Sequence, residues 1–161
     1  HAERGVVSLA AAGISFEVVP GVSSAIAAAA LSGIPVTHRG LSSGFVVVSG
    51  HAEDAYRPVL ESLAPHSATV VVMMGLGRID RIAGLLIERG WNAMTPSAVI
   101  FGASTSSSKA WTVSLFDLKQ NLIGADRSAP ATVVIGEVVR LSAALGAQAQ
   151  AEADEAAAGG Q

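Results

Sequence analysis

Cysteine is absent from the 161 residues, so the chain has neither a disulfide framework nor a thiolate metal site. This absence agrees with a reducing compartment, and we expect a cytoplasmic protein. Charged residues make up only 14% of the chain, and the net charge of −3 provides no basic surface for nucleic acid. The longest apolar stretches, such as Ala68–Leu76, fall short of the ~20 residues that a membrane-spanning helix needs. We therefore expect neither a nucleic-acid partner nor a membrane span.

The short motifs of several large enzyme classes are also missing. The sequence has no GxGxxG or P-loop for nucleotides, no GxSxG for serine hydrolases and no HExxH for zinc proteases. Its four histidines are scattered along the chain, so no metal site is predicted. Asp54, Asp80 and Asp117 stand where helices are expected to begin, which suits helix N-termini better than a catalytic pair.

The residues that are present are typical of an α/β protein. Half of the chain is apolar, and its length is sufficient to bury a core. Continuous β-branched runs at residues 44–49 and 69–74 predict strands buried on both faces. Further strands are predicted at residues 14–19, 97–101, 111–115 and 132–135, and helices at 24–31, 52–63, 80–90 and 137–145. Short polar connections favour some antiparallel pairing, so the expected fold is a mixed sheet flanked by helices.

Residues 18–40, VVPGVSSAIAAAALSGIPVTHRG, combine a predicted strand, a Pro-Gly turn and a helix that begins with serines. Ser23 and Ser24 would gather hydroxyl and backbone N–H groups at the helix N-terminus. This arrangement suits the carboxylate or ribose of a nucleotide-like cofactor. A serine at that position is also an ordinary N-cap, so the pattern alone leaves both roles open.

Two stretches carry groups that suit an anionic substrate. Thr37-His38-Arg39 combines a hydroxyl, a titratable ring and a permanent cation, and His51 follows a predicted buried strand. The arginine fork matches a carboxylate, and histidine, with an ordinary pKa of ~6.5, can gain charge or exchange a proton. The alternative is that each histidine is a loop residue bonded to the backbone.

Small residues follow or precede three of the predicted strands. Met74 ends the strongest strand, next to glycine, and its flexible thioether would pack well against a flat ring such as adenine. Residues 102–105 and 128–132 are small-residue loops that would let a ligand approach the backbone. Each of these stretches is equally consistent with a core strand followed by an ordinary turn.

Four segments stand out when they are taken in order: VVPGVSSAIAAAALSGIPVTHRG, VVVSGH, VVVMMGLGRI and APATVVIGEVV. Together they resemble the second half of the tetrapyrrole methylases, and within that family the uroporphyrinogen-III C-methyltransferases. The resemblance extends from about Leu9 to Leu145. It implies two methyl transfers from S-adenosylmethionine to ring carbons of uroporphyrinogen III, giving precorrin-2 and S-adenosylhomocysteine. It also implies a homodimer that holds cofactor and tetrapyrrole in a cleft between two domains.

The family pattern implies roles for particular residues of this chain. Ser23 and Ser24 match the PGxTSA turn that contacts the cofactor, with Ser23 replacing the usual threonine. Met74 matches the strand end near adenine, where Met73 replaces a usual tyrosine. The other expected cofactor contacts are Gly102, Ala103, Pro130, Ala131 and Thr132. The first two of these belong to a loop that matches the family less closely. The candidates for holding substrate propionates are Arg39, His38 and His51.

The family's N-terminal half carries a GAGPGD loop, a GGDP segment and proposed acid/base residues, and neither motif occurs here. We therefore expect residues 1–40 to be the end of an N-terminal domain with the interdomain segment, 41–145 the C-terminal domain, and 146–161 a disordered tail. The parent would be a single-function enzyme or a fused sirohaem synthase, and this chain alone would have little activity. Two alternatives remain: another precorrin or diphthine methyltransferase, or a non-catalytic folding or dimerisation module.

Overall fold

The computed structural model describes residues 2–123 and 130–143, in which helices and strands alternate. The elements are α1 (Ala2–Ala11), α2 (Ser24–Leu31), β1 (Phe45–Ser49), α3 (Glu53–Ser62), β2 (Thr69–Met73), α4 (Ile79–Glu88), β3 (Pro96–Phe101), β4 (Lys109–Ser114), α5 (Leu115–Lys119) and β5 (Ala131–Ile135). Short 3-10 helices span Leu76–Arg78 and Glu137–Arg140. The predicted α/β class is confirmed.

The five strands form one sheet in the order β1-β2-β5-β3-β4. β1 and β2 are parallel, β5 is antiparallel to both of its neighbours, and β4 is antiparallel to β3. The prediction of a mixed sheet is therefore confirmed. This order brings the C-terminal ends of β1, β2 and β3 to the same edge as the N-terminal end of β5.

Helices cover both faces of the sheet. On one face α3, α4 and α5 pack against a core that includes Val70, Val72, Val99 and Val133. On the other face α2 and the turn at Glu137–Arg140 pack against a smaller core. That smaller core consists of Ala28, Ala29, Ile34, Ala98, Ile100, Val134, Val138 and Val139. The central strands β2 and β5 are buried on both faces, as their continuous β-branched sequences indicate.

Two strand predictions were wrong. β1 is an edge strand rather than a strand buried on both faces, and its Val47 is 44% exposed. A continuous apolar run predicts a strand, but not the position of that strand in the sheet. Residues 14–19 belong to no strand, and the apolar side chains of Ile14, Phe16 and Val18 are exposed.

The two ends of α2 follow from local sequence signals. Ser23 is the N-cap, and its Oγ accepts a hydrogen bond from the N–H of Ala25 (3.3 Å). At the other end Gly33 adopts a left-handed φ of +68°. The N–H groups of Gly33 and Ile34 then donate to the carbonyls of Ala30 and Ala29, which satisfies the free end of the helix.

The predicted helix starts at acidic residues are confirmed, since Asp54 and Asp80 lie in the first turns of α3 and α4. Asp117 lies in the first turn of α5, a helix that the apolar spacing did not predict. Residues 137–143 form the 3-10 turn and a short helical continuation. The rest of the helix predicted to residue 145, and the tail at 146–161, lie outside the described residues.

Candidate functional site

A cleft of ≈ 540 Å³ lies where β2 and β3 end and β5 begins. It brings together residues that are far apart in the sequence. Seven of the residues predicted to contact a cofactor line it: Ser24, Met74, Gly102, Ala103, Pro130, Ala131 and Thr132. Ser23, the eighth, is not in the lining, because its hydroxyl caps α2 one residue earlier.

The floor of the cleft is a row of side chains from three neighbouring strands. Met73 of β2 is paired in register with Thr132 of β5, which is paired with Ile100 of β3. Paired residues on neighbouring strands project from the same face, so the three side chains form a continuous surface. This is the face that α2 covers. Thr132 is only 6% exposed, and it adds a hydroxyl to an otherwise apolar floor.

Met74 has an unusual conformation at the rim of the cleft. Its φ is +52°, in the left-handed region that a residue with a side chain rarely adopts, and it is 68% exposed. Backbone strain of this kind, of order 1–2 kcal/mol, is concentrated at functional sites. The exposed thioether is flexible and polarisable, which suits contact with a flat aromatic ligand.

Two glycines allow an unusually close backbone contact beside the cleft. A Cβ added at Gly50 would lie 2.4 Å from the Cα of Gly75, which itself lines the cleft. The N–H of Gly50 donates to the carbonyl of Met73 (2.8 Å), so the segment after β1 is tied to the end of β2. Only glycine at these positions permits this approach, and it brings residues 49–51 next to the cleft.

The loop after β3 has a second left-handed turn. Gly102 has φ +52°, and the hydroxyl of Thr105 donates to its carbonyl (2.7 Å). A Cβ at position 102 would lie 3.0 Å from the same hydroxyl oxygen. Glycine at position 102 therefore lets the loop fold back on itself, and Gly102 and Ala103 line the cleft.

Among the residues that the structure describes, those that line the cleft carry no ionisable side chain. The described groups with shifted pKa values lie elsewhere and stabilise helices. Arg57 donates to Glu53 and lowers the pKa of that carboxyl, while burial raises the pKa of Tyr56. Hydrogen bonds from Ser114 lower the pKa of Asp117 in the capping box of α5. The described part of the cleft wall can therefore bind and orient a ligand, and its side chains include no general acid or base.

The three predicted substrate residues are not in the cleft lining. His38 and Arg39 lie in an exposed turn in which the N–H of His38 donates to the carbonyl of Ser42 (2.9 Å). His51 is also exposed, and its Nδ1 is 2.8 Å from the Oγ of Ser49. The close contact of Gly50 with Gly75 places His51 near the rim of the cleft, whereas the exposed turn of His38 and Arg39 does not line it.

Four further residues line the cleft: Met73, Gly75, Leu76 and Ile100. The sequence did not identify them as cofactor contacts. Ile100 lies in a strand, and its apolar side chain was indistinguishable from a core residue in the sequence. Met73 and Leu76 lie within two residues of Met74, in the segment VVVMMGLGRI. Their roles depend on which strands are neighbours, and the sequence pattern does not show this.

Within residues 2–123 and 130–143, no cluster of three or more His, Asp or Glu side chains could hold a metal ion. No helix in the same ranges is long and apolar enough to cross a membrane.

The fold and the cleft together define one wall of a binding site for a nucleotide-like ligand: an α/β sheet edge, small residues and a helix N-terminus. Residues 3–119 match the family model of Tetrapyrrole (Corrin/Porphyrin) Methylases. The chain belongs to this family.

Relatives and solved structures agree with this membership. Siroheme synthase 2 of Aeromonas hydrophila is 40% identical over 134 residues, which are 83% of this chain and 28% of that protein. Uroporphyrinogen-III C-methyltransferase of Bacillus subtilis is 37% identical over 129 residues, 79% of this chain and 50% of that protein. The structure of uroporphyrin-III C-methyl transferase from Thermus thermophilus complexed with S-adenyl homocysteine has a TM-score of 0.74 at 36% identity, covering 86% of this chain and 60% of that one. The chain thus spans half or less of the length of these two curated relatives.

Proposed function

We propose that the chain is the C-terminal domain, with the end of the preceding domain, of an S-adenosylmethionine-dependent uroporphyrinogen-III C-methyltransferase. The observation that carries the proposal is the lining of the cleft. Seven of the eight residues expected to contact the cofactor come from four separate parts of the chain and line the same cleft. The names of relatives at 36–40% identity support uroporphyrinogen III as the substrate.

The chemical character of the wall suits S-adenosylmethionine. Met73, Met74 and Leu76 offer an apolar, adaptable surface for adenine. Ser24 and the positive end of α2 offer donors for the ribose or the carboxylate. Gly75 and Gly102 add backbone to the lining without side chains of their own.

The bound cofactor would supply an electrophilic methyl group to an electron-rich ring carbon of the tetrapyrrole. The residues of this chain would hold the cofactor, exclude water from the apolar floor and orient the two reactants. The described residues of the wall include no ionisable side chain that could accept the proton. We assign that role to the upstream half of the methylase.

The exposed segment before α2 supports the assignment of residues 1–40 to the end of an N-terminal domain. Residues 14–19 form no strand, and the apolar side chains of Ile14, Phe16, Val18 and Val19 are exposed. Exposed apolar residues in a row are typical of a surface that another segment covers. An upstream domain that pairs with this segment would complete the second wall of the cleft.

Arg39, His38 and His51 would hold the substrate propionates at the mouth of the cleft, since a cation pairs well with a carboxylate. The active protein would be a cytoplasmic homodimer. An Arg39→Ala variant of the longer protein should bind uroporphyrin III more weakly than wild type does. Unchanged affinity would remove Arg39 from the proposal.

Two other functions can be distinguished from this one by experiment. A later precorrin or diphthine methyltransferase would share the cofactor wall, and product analysis with uroporphyrinogen III separates these substrates. A non-catalytic module is the alternative that the missing N-terminal motifs favour. A turnover assay of the chain, alone and with the upstream half attached, separates that module from a methyltransferase domain.

The test is calorimetric titration with S-adenosylhomocysteine. It compares this chain with a longer chain that carries the upstream glycine-rich motifs, each as wild type and as Ser24→Ala. Binding by the longer chain, weakened by Ser24→Ala, is the expected result. Absence of binding by both wild-type chains would overturn the cofactor assignment.

A further inference from the structure

The floor of the cleft continues by one strand beyond the residues that line it. Ser49 of β1 is paired in register with Met73, so Ser49, Met73, Thr132 and Ile100 form one row across four neighbouring strands. Their side chains project from the same face. Ser49 therefore lies at the open end of the cleft floor, on the exposed edge of the sheet.

Ser49 makes one side-chain hydrogen bond, to the Nδ1 of His51 (2.8 Å). The intervening Gly50 is anchored to Met73 and packed against Gly75, so the backbone that carries both side chains is held in place. Among the described residues, no hydrogen bond to Nε2 of His51 is present. The ring is thus fixed through one nitrogen, and the other is available to a ligand.

A role in helix capping does not account for this pair. α3 begins two residues after His51, but its N-cap is Ala52, and no side chain caps the helix. A serine hydroxyl can donate to the neutral ring and accept from the charged ring, so it can hold His51 in either protonation state. The contact therefore fixes the orientation of the His51 ring.

We propose that Ser49 is a positioning residue for tetrapyrrole binding, which acts by fixing the ring of His51 so that Nε2 meets a substrate carboxylate at the open end of the cleft. This inference rests on the proposed function, because the carboxylate belongs to the proposed substrate. Ser49 itself does not touch the reacting atoms.

The first test measures the ring of His51 directly. Ring ¹⁵N chemical shifts of His51 are recorded by NMR in this chain as wild type, Ser49→Ala and Ser49→Thr. The expected result is a change in the Nδ1 shift in Ser49→Ala and its return in Ser49→Thr, which keeps the hydroxyl. Identical Nδ1 shifts in wild type and Ser49→Ala would overturn the positioning role whether or not the chain binds a tetrapyrrole.

The second test measures affinity for uroporphyrin III, the stable oxidised tetrapyrrole, with the longer chain that carries the upstream half. Ser49→Ala should weaken binding about fivefold, the effect of losing one hydrogen bond, and Ser49→Thr should restore it. Ser67→Ala, at the opposite end of the β1-β2 pair, is the control and should bind like wild type. Unchanged affinity in Ser49→Ala, while His51→Ala weakens binding, overturns the inference and leaves the proposed function intact. Absence of binding by wild type overturns both.

Discussion

Replacing Gly50 with alanine should destabilise the domain at the edge of the cleft. The added Cβ would lie 2.4 Å from the Cα of Gly75 and 3.1 Å from side-chain atoms of Val72 and Ile82. Because carbon atoms in contact normally lie ~3.5–4.0 Å apart, one backbone segment would have to move by about 1 Å. Overpacking of this kind costs about 1–3 kcal/mol of the free energy of unfolding.

Urea denaturation and thermal unfolding of the chain measure this cost. A loss of about 2 kcal/mol lowers the melting temperature by about 4–8 °C in a domain of this size. Gly77→Ala is the matched control, since a Cβ there would meet no atom within 4 Å. It should be neutral or slightly stabilising.

Equal stability of the Gly50→Ala and Gly77→Ala variants would refute the steric argument. The movement should also reach the cleft, because Gly75 lines it and Gly50 is bonded to Met73. Gly50→Ala in the longer chain should therefore bind S-adenosylhomocysteine more weakly than Gly77→Ala does. A variant that is destabilised but binds normally would show that the displacement is taken up on the side of β1.

Three further predictions concern helix ends and the strained residue. Asp117→Asn should cost about 1 kcal/mol in urea, because a neutral amide oxygen replaces the charged acceptor of two hydrogen bonds from Ser114. The pKa of Asp117 is lowered in the folded state, so the wild-type advantage is present above the unfolded-state pKa of ~3.9 and lost as pH falls through the folded-state pKa. Met74→Gly should be more stable than Met74→Ala by about 1 kcal/mol, because only alanine keeps the left-handed strain. Ser23→Ala should cost about 1 kcal/mol of stability, whereas Ser24→Ala should stay within about 0.5 kcal/mol and weaken cofactor binding.

Each of these predictions has an outcome that contradicts it. A constant difference between Asp117→Asn and wild type down to strongly acidic pH would remove the carboxylate from the explanation. Equal stability of the two Met74 variants would mean that the turn relaxes without cost. Loss of stability in Ser24→Ala as large as in Ser23→Ala would make Ser24 a structural residue.

Local signals in the sequence were sufficient to predict the elements whose ends are set by single residues. Ser23 and Gly33 delimit α2 because a hydroxyl cap and a left-handed glycine act over only a few residues. The β-branched run at Thr69–Met73 likewise predicted a strand, although the same reasoning did not distinguish this central strand from the edge strand β1. The residues expected to contact the cofactor near these points lie together in the cleft, and their role in binding stays a prediction.

The features that the sequence did not predict depend on which strands pair across long distances in the chain. β1 has almost the same composition as β2 but lies at the sheet edge, and nothing within Phe45–Ser49 distinguishes the two. Ile100 joins the cleft floor only because β5 brings Thr132 beside it. Residues 14–19 have a strand pattern without a strand, because a pattern of side chains does not supply a hydrogen-bonding neighbour.

The position of β5 has a consequence for synthesis of the chain on the ribosome. β5 is the last strand in the described sequence, yet it lies in the middle of the sheet and forms both the β2 and the β3 contacts. Until Ala131–Ile135 leave the ribosome, β1-β2 and β3-β4 are separate pairs with two open inner edges, which are sites for aggregation. A nascent chain that stops before residue 131 would therefore lack a continuous sheet and the cleft. The ability to bind ligand should appear abruptly, in nascent chains of increasing length, when the last strand is inserted.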